Sequence, residues 1–186
     1  MPIVNPADCT VRPWKNGQGR TRELLVHPPG AGMDDFLWRV SIAEVESAAP
    51  FSAFPGVDRV IALLAGDGFT MALDDGRRHA LTTPCAPFAF PGEAGVDVTL
   101  AGGPCRDFNL MLRRNHARGG IEVWRTAGAH EVGSDVVLVY CARGSFDCAA
   151  GPLHAGAGWL PDGGRLVLAE DCVALAVRAE ALPPRA

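Results

Sequence analysis

Three short polar blocks hold the residues of this 186-residue chain whose types and spacing could do chemistry. The first, Trp14-Lys15-Asn16-Gly17-Gln18-Gly19-Arg20-Thr21-Arg22-Glu23, sets cations and an amide around two glycines. Glycine tolerates positive φ and close backbone approach, while Lys15, Asn16 and Arg20 supply hydrogen-bond donors to an acceptor-rich ligand. A hairpin loop with solvated charges is the plainer reading of the same spacing. The second block, Trp38-Arg39-Val40-Ser41-Ile42-Ala43, alternates strictly. A strand would turn Trp38, Val40 and Ile42 to one face and Arg39, Ser41 and Ala43 to the other. That second face fits two descriptions equally: the outside of a barrel, or a pocket wall in which Ser41 leaves room and Arg39 grips an anion. The third block joins Phe51-Ser52-Ala53-Phe54-Pro55-Gly56-Val57-Asp58-Arg59 to Asp107-Phe108-Asn109-Leu110-Met111. Phe51 and Phe54 read as core or rim packing, and Arg59 could simply pair with Asp58 or Asp107. Asn109 is harder to assign to packing, because asparagine is disfavoured in strands and costly to bury without a partner.

Other chemistries lack their residues. A metal site of the usual β-barrel kind needs two histidines on alternate strand positions, which point the same way. Here Asp74-Asp75-Gly76-Arg77-Arg78-His79-Ala80 carries one histidine, and His27, His116, His130 and His154 stand apart. Glu23 and His27 could share a strand face, but two groups do not make a site. No metal or other cofactor is therefore expected. There is no Gly-x-Ser-x-Gly, Ser41 and Ser145 have no evident His and Asp partners, and Gly17-Gln18-Gly19 lacks the third glycine of a dinucleotide fingerprint.

The composition narrows the partners. A net charge of −4, with only Arg77-Arg78 and Arg113-Arg114 near Arg118 as basic spots, argues against nucleic acid, which needs clustered cations. No apolar run approaches the roughly 20 residues of a membrane-spanning helix. The opening residues have neither a basic start nor an apolar stretch, so no secretory signal is expected and the cytoplasm is the expected location. The six cysteines form no Cys-x-x-Cys pair and read as reduced, mostly buried small hydrophobes.

The elements that must position these blocks are short strands. Glycines (22) and prolines (15) punctuate runs rich in Val, Leu and Phe, as in a sandwich or barrel, and no helical period persists for three turns. A weak repeat is visible as well. Val60-Ile61-Ala62-Leu63-Leu64-Ala65-Gly66-Asp67-Gly68 is echoed by Val136-Val137-Leu138-Val139-Tyr140-Cys141-Ala142-Arg143-Gly144, and Gly76-Arg77-Arg78-His79 by Gly151-Pro152-Leu153-His154. Phe90-Pro91-Gly92 and Leu160-Pro161-Asp162 follow at nearly the same offset. A duplication predicts an all-β bicupin with little helix, two fused small jelly-roll barrels over residues 1–114 and 115–186. The mouth of such a barrel usually holds a ligand. The second barrel lacks counterparts of Arg39 and Arg59, so no site is expected there, and Trp159 reads as packing.

Trp14-Lys15-Asn16-Gly17 with Thr21 and Glu23, the stretches Phe36 to Ala43 and Pro50 to Arg59, and Asp107 to Arg114 together resemble the HutD/Ves family of bacterial bicupins. The match is looser beyond Arg114. Gln18 stands where the family often has glycine, and Ala49 where glycine is usual before Pro50-Phe51-Ser52. The resemblance implies a non-enzymatic protein associated with histidine utilisation, which senses or sequesters an intermediate such as N-formylglutamate. For such a dicarboxylate, Arg39 and Arg59 would each offer a bidentate fork. Asn16 and Asn109 would hold the formamide, Ser41 would leave room, and Trp14 would form an apolar wall beside Lys15. The expected partner is a small anionic metabolite, with a homodimer formed through sheet edges. A cupin-type hydrolase or isomerase acting on a small acidic metabolite is the alternative, and a closed protein-interaction module is the third reading.

Overall fold

Alternating apolar residues between closely spaced glycines favour strands, and strands dominate the computed structural model, which describes residues 2–14 and 18–183. Among the described residues there is no α-helix, and one 3-10 turn covers Pro6–Asp8. In chain order the first strands are β1 (Ile3–Val4), β2 (Val11–Pro13), β3 (Gly19–His27), β4 (Trp38–Val45) and β5 (Val57–Ala65). Next come β6 (Phe69–Leu73), β7 (Arg78–Leu81), β8 (Phe88–Pro91), β9 (Val96–Leu100) and β10 (Cys105–Arg113). After a tight turn at Asn115 follow β11 (Ala117–Trp124), β12 (Gly128–Val132), β13 (Val136–Arg143) and β14 (Ser145–Cys148). The last are β15 (Gly151–His154), β16 (Gly158–Trp159), β17 (Gly164–Leu168) and β18 (Val173–Ala181).

Four sheets result, and their wiring is used twice. A six-stranded sheet runs β2-β3-β4-β10-β5-β8 and a three-stranded sheet β7-β6-β9. A five-stranded sheet runs β1-β16-β13-β18-β11 and a four-stranded sheet β12-β17-β14-β15. Strand β5 pairs with β8 and β10, and β6 with β7 and β9. In the same order β13 pairs with β16 and β18, and β14 with β15 and β17. The sequence echo between Val60 and Val136 thus has a counterpart in strand pairing. Gly68 and Gly144 occupy equivalent turns at φ +76° and +69°, and a Cβ on Gly68 would sit 2.0 Å from the carbonyl oxygen of Leu81. Only glycine fits there without moving backbone. Strand β1 departs from the chain order, because Ile3 and Val4 pair with Trp159 and Gly158 and extend the five-stranded sheet.

Both faces of the central strands are buried, each against a different partner. Val40, Ile42, Phe108 and Leu110 of the six-stranded sheet pack on Leu138, Tyr140, Leu175 and Val177 of the five-stranded sheet. The rings of Phe108 and Tyr140 lie 5.3 Å apart in that layer. Each such side chain contributes about 1.5–3 kcal/mol on full burial. The opposite face of the six-stranded sheet looks toward Phe69, Met71 and Val98 of the three-stranded sheet. The polar face of β4 is therefore interior rather than exterior.

A bulge between Glu23 and Leu25 separates two residues whose spacing alone would place them together. Glu23 lies opposite Ser41 on the interior face, whereas His27 lies opposite Trp38 and stacks on its ring at 4.0 Å.

Candidate ligand-binding site

Strand register lays three rows across the interior face of the six-stranded sheet. Arg39, Met111 and Arg59 form one, Ser41, Asn109 and Ile61 the next, and Ala43, Asp107 and Leu63 the third. Adjacent strands lie about 4.8 Å apart, so the two arginine backbones stand roughly 10 Å from each other with Met111 between. Arg39 Nη1 approaches the Met111 sulfur at 4.0 Å. The small side chains at 41 and 43 leave a cavity of about 530 Å³ over these rows, closed by Trp14 and by Phe51 and Phe54 from the segment before β5. That volume suits a small organic ligand.

The two arginines are held differently. Arg39 donates through Nε to Glu23 Oε2 at 2.7 Å, so its charge is matched locally. Among the described residues no carboxylate forms an ion pair with Arg59. Its guanidinium carbon lies 4.9 Å from the centre of the Phe90 ring, 5.0 Å from Phe51 and 5.5 Å from Phe54. Three aromatic faces partly replace the lost hydration by cation–π attraction. Arg59 Nη2 donates to Asn109 Oδ1 at 3.1 Å, and Asn109 Nδ2 donates in turn to Asp107 Oδ1. Asn109 therefore relays between a cation and a carboxyl group. Two buried polar atoms at the ends of this chain, Arg59 Nε and Asp107 Oδ2, have no hydrogen-bond partner among the described residues.

Burial acts on both ends. It lowers the Arg59 pKa to about 10, with Asp107 opposing the fall and Arg39 adding to it. The guanidinium stays charged at neutral pH. Burial pushes the Asp107 carboxyl up to about 7, against the hydrogen bond from Asn109 and the charge of Arg59. Asp107 thus changes protonation state in the physiological range, which an ordinary aspartate does not.

Of the residues singled out from the sequence, Trp14, Arg39, Ser41, Arg59 and Asn109 line this one cavity, and Lys15 and Asn16 lie outside the described residues. The Trp14 indole donates to Thr21 Oγ1 at 2.8 Å, which leaves its ring face as an apolar wall. Asp58, one candidate partner for Arg59, is instead bound by Arg114 at 2.7 Å. Sequence reasoning gave Asp107 no role beyond a possible ion pair, and Phe51 and Phe54 none beyond packing. The available signal was the spacing of Asp107 and Asn109, two residues apart on an otherwise apolar strand and hence on one face. Elsewhere, histidine rings serve packing: His79 stacks on Phe88 at 3.7 Å and His130 on Trp124 at 5.2 Å. Among the described residues no group of three or more His, Cys, Asp or Glu side chains could hold a metal ion, and no helix is long and apolar enough to cross a membrane.

An all-β chain with this wiring and a polar cavity over its larger sheet has the cupin fold. A cupin 2 conserved barrel domain protein from Leptotrichia buccalis superposes with a TM-score of 0.64 over 97% of this chain and 97% of its own, at 8% identity. Within that fold class, the chain belongs to the HutD family, whose model matches residues 6–180. It is 36% identical over 142 residues to an uncharacterized 21.2 kDa protein in the hutC 3' region of Pseudomonas putida, covering 76% of this chain and 74% of that one. The structure of HutD from Pseudomonas fluorescens SBW25 (formate condition) matches with a TM-score of 0.83 at 26% identity, covering 98% and 99%. The protein is thus a cupin-fold member of a family associated with histidine utilisation.

Proposed function

We propose that the cavity binds a small carboxylate, N-formylglutamate being the best fit, and that the protein acts in the cytoplasm as a non-enzymatic regulator of histidine utilisation. One observation carries this reading. The buried polar and charged residues among those described are Arg39, Ser41, Arg59, Asp107 and Asn109, and all five line this cavity. Apolar residues would serve the fold as well or better, because burying charge costs several kcal/mol per ion. Such a cluster is expected where it serves a ligand.

In this reading each chain half is one small jelly-roll barrel, over residues 1–114 and 115–186, and only the first takes a ligand. One ligand carboxylate sits on the Arg59 guanidinium. The second lies toward Arg39, across Met111. The formamide meets Asn109, Ser41 leaves it room, and Trp14 covers the carbon chain. Lys15 and Asn16, which follow Trp14 in sequence, stay in the proposed ligand set.

The test is thermal unfolding with N-formylglutamate, glutamate, urocanate, histidine and formate at millimolar concentrations. A ligand at 100 times its Kd adds about 2.7 kcal/mol to stability, which in a chain of this size raises Tm by about 5–10 °C. The expected outcome is a shift with N-formylglutamate that disappears in Arg59→Met. No shift with any acid would refute the reading. A carboxyl titrating near 7 also suits general acid–base work, so Asp107 is the observation that favours the enzyme alternative, a hydrolase or isomerase. Release of formate from N-formylglutamate by the purified protein, lost in Asp107→Asn, would establish that alternative.

A further inference from the structure

Asp107 is surplus to a site that only grips anions, because a carboxylate beside an anion pocket repels the ligand. Its position is nevertheless built. It stands on β10 between Ala43 and Leu63, neither of which offers a side-chain donor, and it is 1% exposed. Asn109 binds one of its oxygens, and the other has no partner among the described residues. Among the described residues, the charged and titratable groups around it are Arg59 on β5, Arg39 on β4 with Glu23 of β3 attached, and Cys105 on its own strand. Cys105 stays a neutral thiol, since burial pushes it up to about 11. The segment facing the cavity from before β5 brings Phe51, Ser52 and Phe54, which do not titrate there.

The charges decide which form of Asp107 an anion meets. Arg39 and Glu23 cancel. With Asp107 ionised, Arg59 is cancelled as well, and these four described side chains hold no net charge to attract a carboxylate. With Asp107 protonated the same four carry one net positive charge. An anion on Arg59 then offsets the cation that favours ionised Asp107 and adds a second negative charge beside it. Two carboxylates so placed do not both stay ionised. The proton on Asp107 also converts its partnerless oxygen from a repelling acceptor into a donor.

We infer that Asp107 takes up a proton from solvent as the ligand binds, and that the neutral acid donates its O–H to the ligand carboxylate. This rests on the carboxylate-binding reading above and deepens it: the site takes anions and protons together, and its affinity is set by pH within the physiological range. Asp107 is a ligand-contacting residue in this scheme, and Arg59 and Asn109 orient it.

Calorimetric titration of the full chain with N-formyl-L-glutamate, and separately with formate, tests this in two buffers of different ionisation enthalpy, PIPES and Tris. The heats should differ by the uptake of roughly three-quarters of a proton per ligand at pH 7.5, rising toward one above pH 8. Both probes are fully ionised between pH 6 and 8.5, so the affinity change over that range reports the protein. With Asp107 releasing its proton near 7 in the free protein, affinity should fall roughly 30-fold from pH 6 to pH 8.5. Asp107→Asn, which cannot titrate, should lose the pH dependence of binding. Equal heats in the two buffers together with pH-independent affinity of the wild-type protein would overturn this inference and leave the carboxylate site standing. That measurement needs no variant, so poor folding of Asp107→Asn would not obscure it. If neither probe binds at any pH, the carboxylate reading falls and this inference with it.

Discussion

The two halves of the chain wire six strands alike and fill the space over their main sheets in opposite ways. In the first half the interior rows read Arg39-Met111-Arg59, Ser41-Asn109-Ile61 and Ala43-Asp107-Leu63. In the second half the corresponding central strand β18 places Ala174 between Trp124 and Cys141, and Ala176 between Glu122 and Val139. Val139, Cys141, Ala174 and Ala176 join Phe146, Leu153 and Trp159 in one apolar cluster. Arg178, on the same strand, is partly exposed and occupied by Glu122 at 2.7 Å and Asp135 at 2.6 Å. One backbone plan thus serves as a packed core in one copy and as a polar cavity in the other. The difference lies in which side chains fill the interior positions. Trp159 and Phe146 fill space in the second half, whereas in the first small residues at 41 and 43 leave it open beneath caged Arg59.

The comparison can be broken or sharpened by substitution, and the largest effect is expected in the filled half. Trp159→Ala removes a fully buried side chain and should lower stability by about 3–5 kcal/mol in denaturant unfolding. Carboxylate affinity of the folded protein should not change, and a matching loss of affinity would show that the halves are not functionally separate. Arg59→Met should do the reverse. Removing the free cation should weaken carboxylate binding by about 2–5 kcal/mol in calorimetry. Stability without ligand should change little at pH 6, where Asp107 is protonated and loss of Arg59 leaves no buried charge unpaired. Strong destabilisation by Arg59→Met would mean that the polar cluster supports the fold rather than a ligand.

A smaller effect concerns pH. The folded protein holds the Asp107 proton up to about 7, whereas an unfolded aspartate releases it near 3.8. The folded state then binds more protons between these values, so this group's contribution to stability is complete below about pH 4 and declines as pH rises through 7. Wild type should lose stability relative to Asp107→Asn across that window, as urea midpoints at successive pH values would show; a constant difference would contradict the raised pKa. At the bottom of the scale stands Arg118→Ala, which removes a solvent-exposed ion pair with Glu180. It should change stability by less than about 0.5 kcal/mol and binding not at all.

Sequence alone determined what depends on near neighbours in the chain. Period-two alternation put Arg39, Ser41 and Ala43 on one face, the Gly and Pro punctuation set the run of short strands, and the Val60 and Val136 echo anticipated the repeated pairing. Asn109 stood out because a strand-buried amide needs a partner whatever the fold. Tertiary structure decided the rest. Alternation is symmetric, so it cannot say whether the polar face of β4 is interior; the three-stranded sheet that covers that face settles it. The row Arg39-Met111-Arg59 exists only once β4, β10 and β5 are in register, and these strands are far apart in sequence. The bulge after Glu23 reversed the side on which His27 emerges, and β1 joined β16 across nearly the whole chain. Asp107 shows the limit most clearly. Its protonation depends on burial and on the charge of Arg59, quantities set by contacts between distant segments and not by the residues beside it.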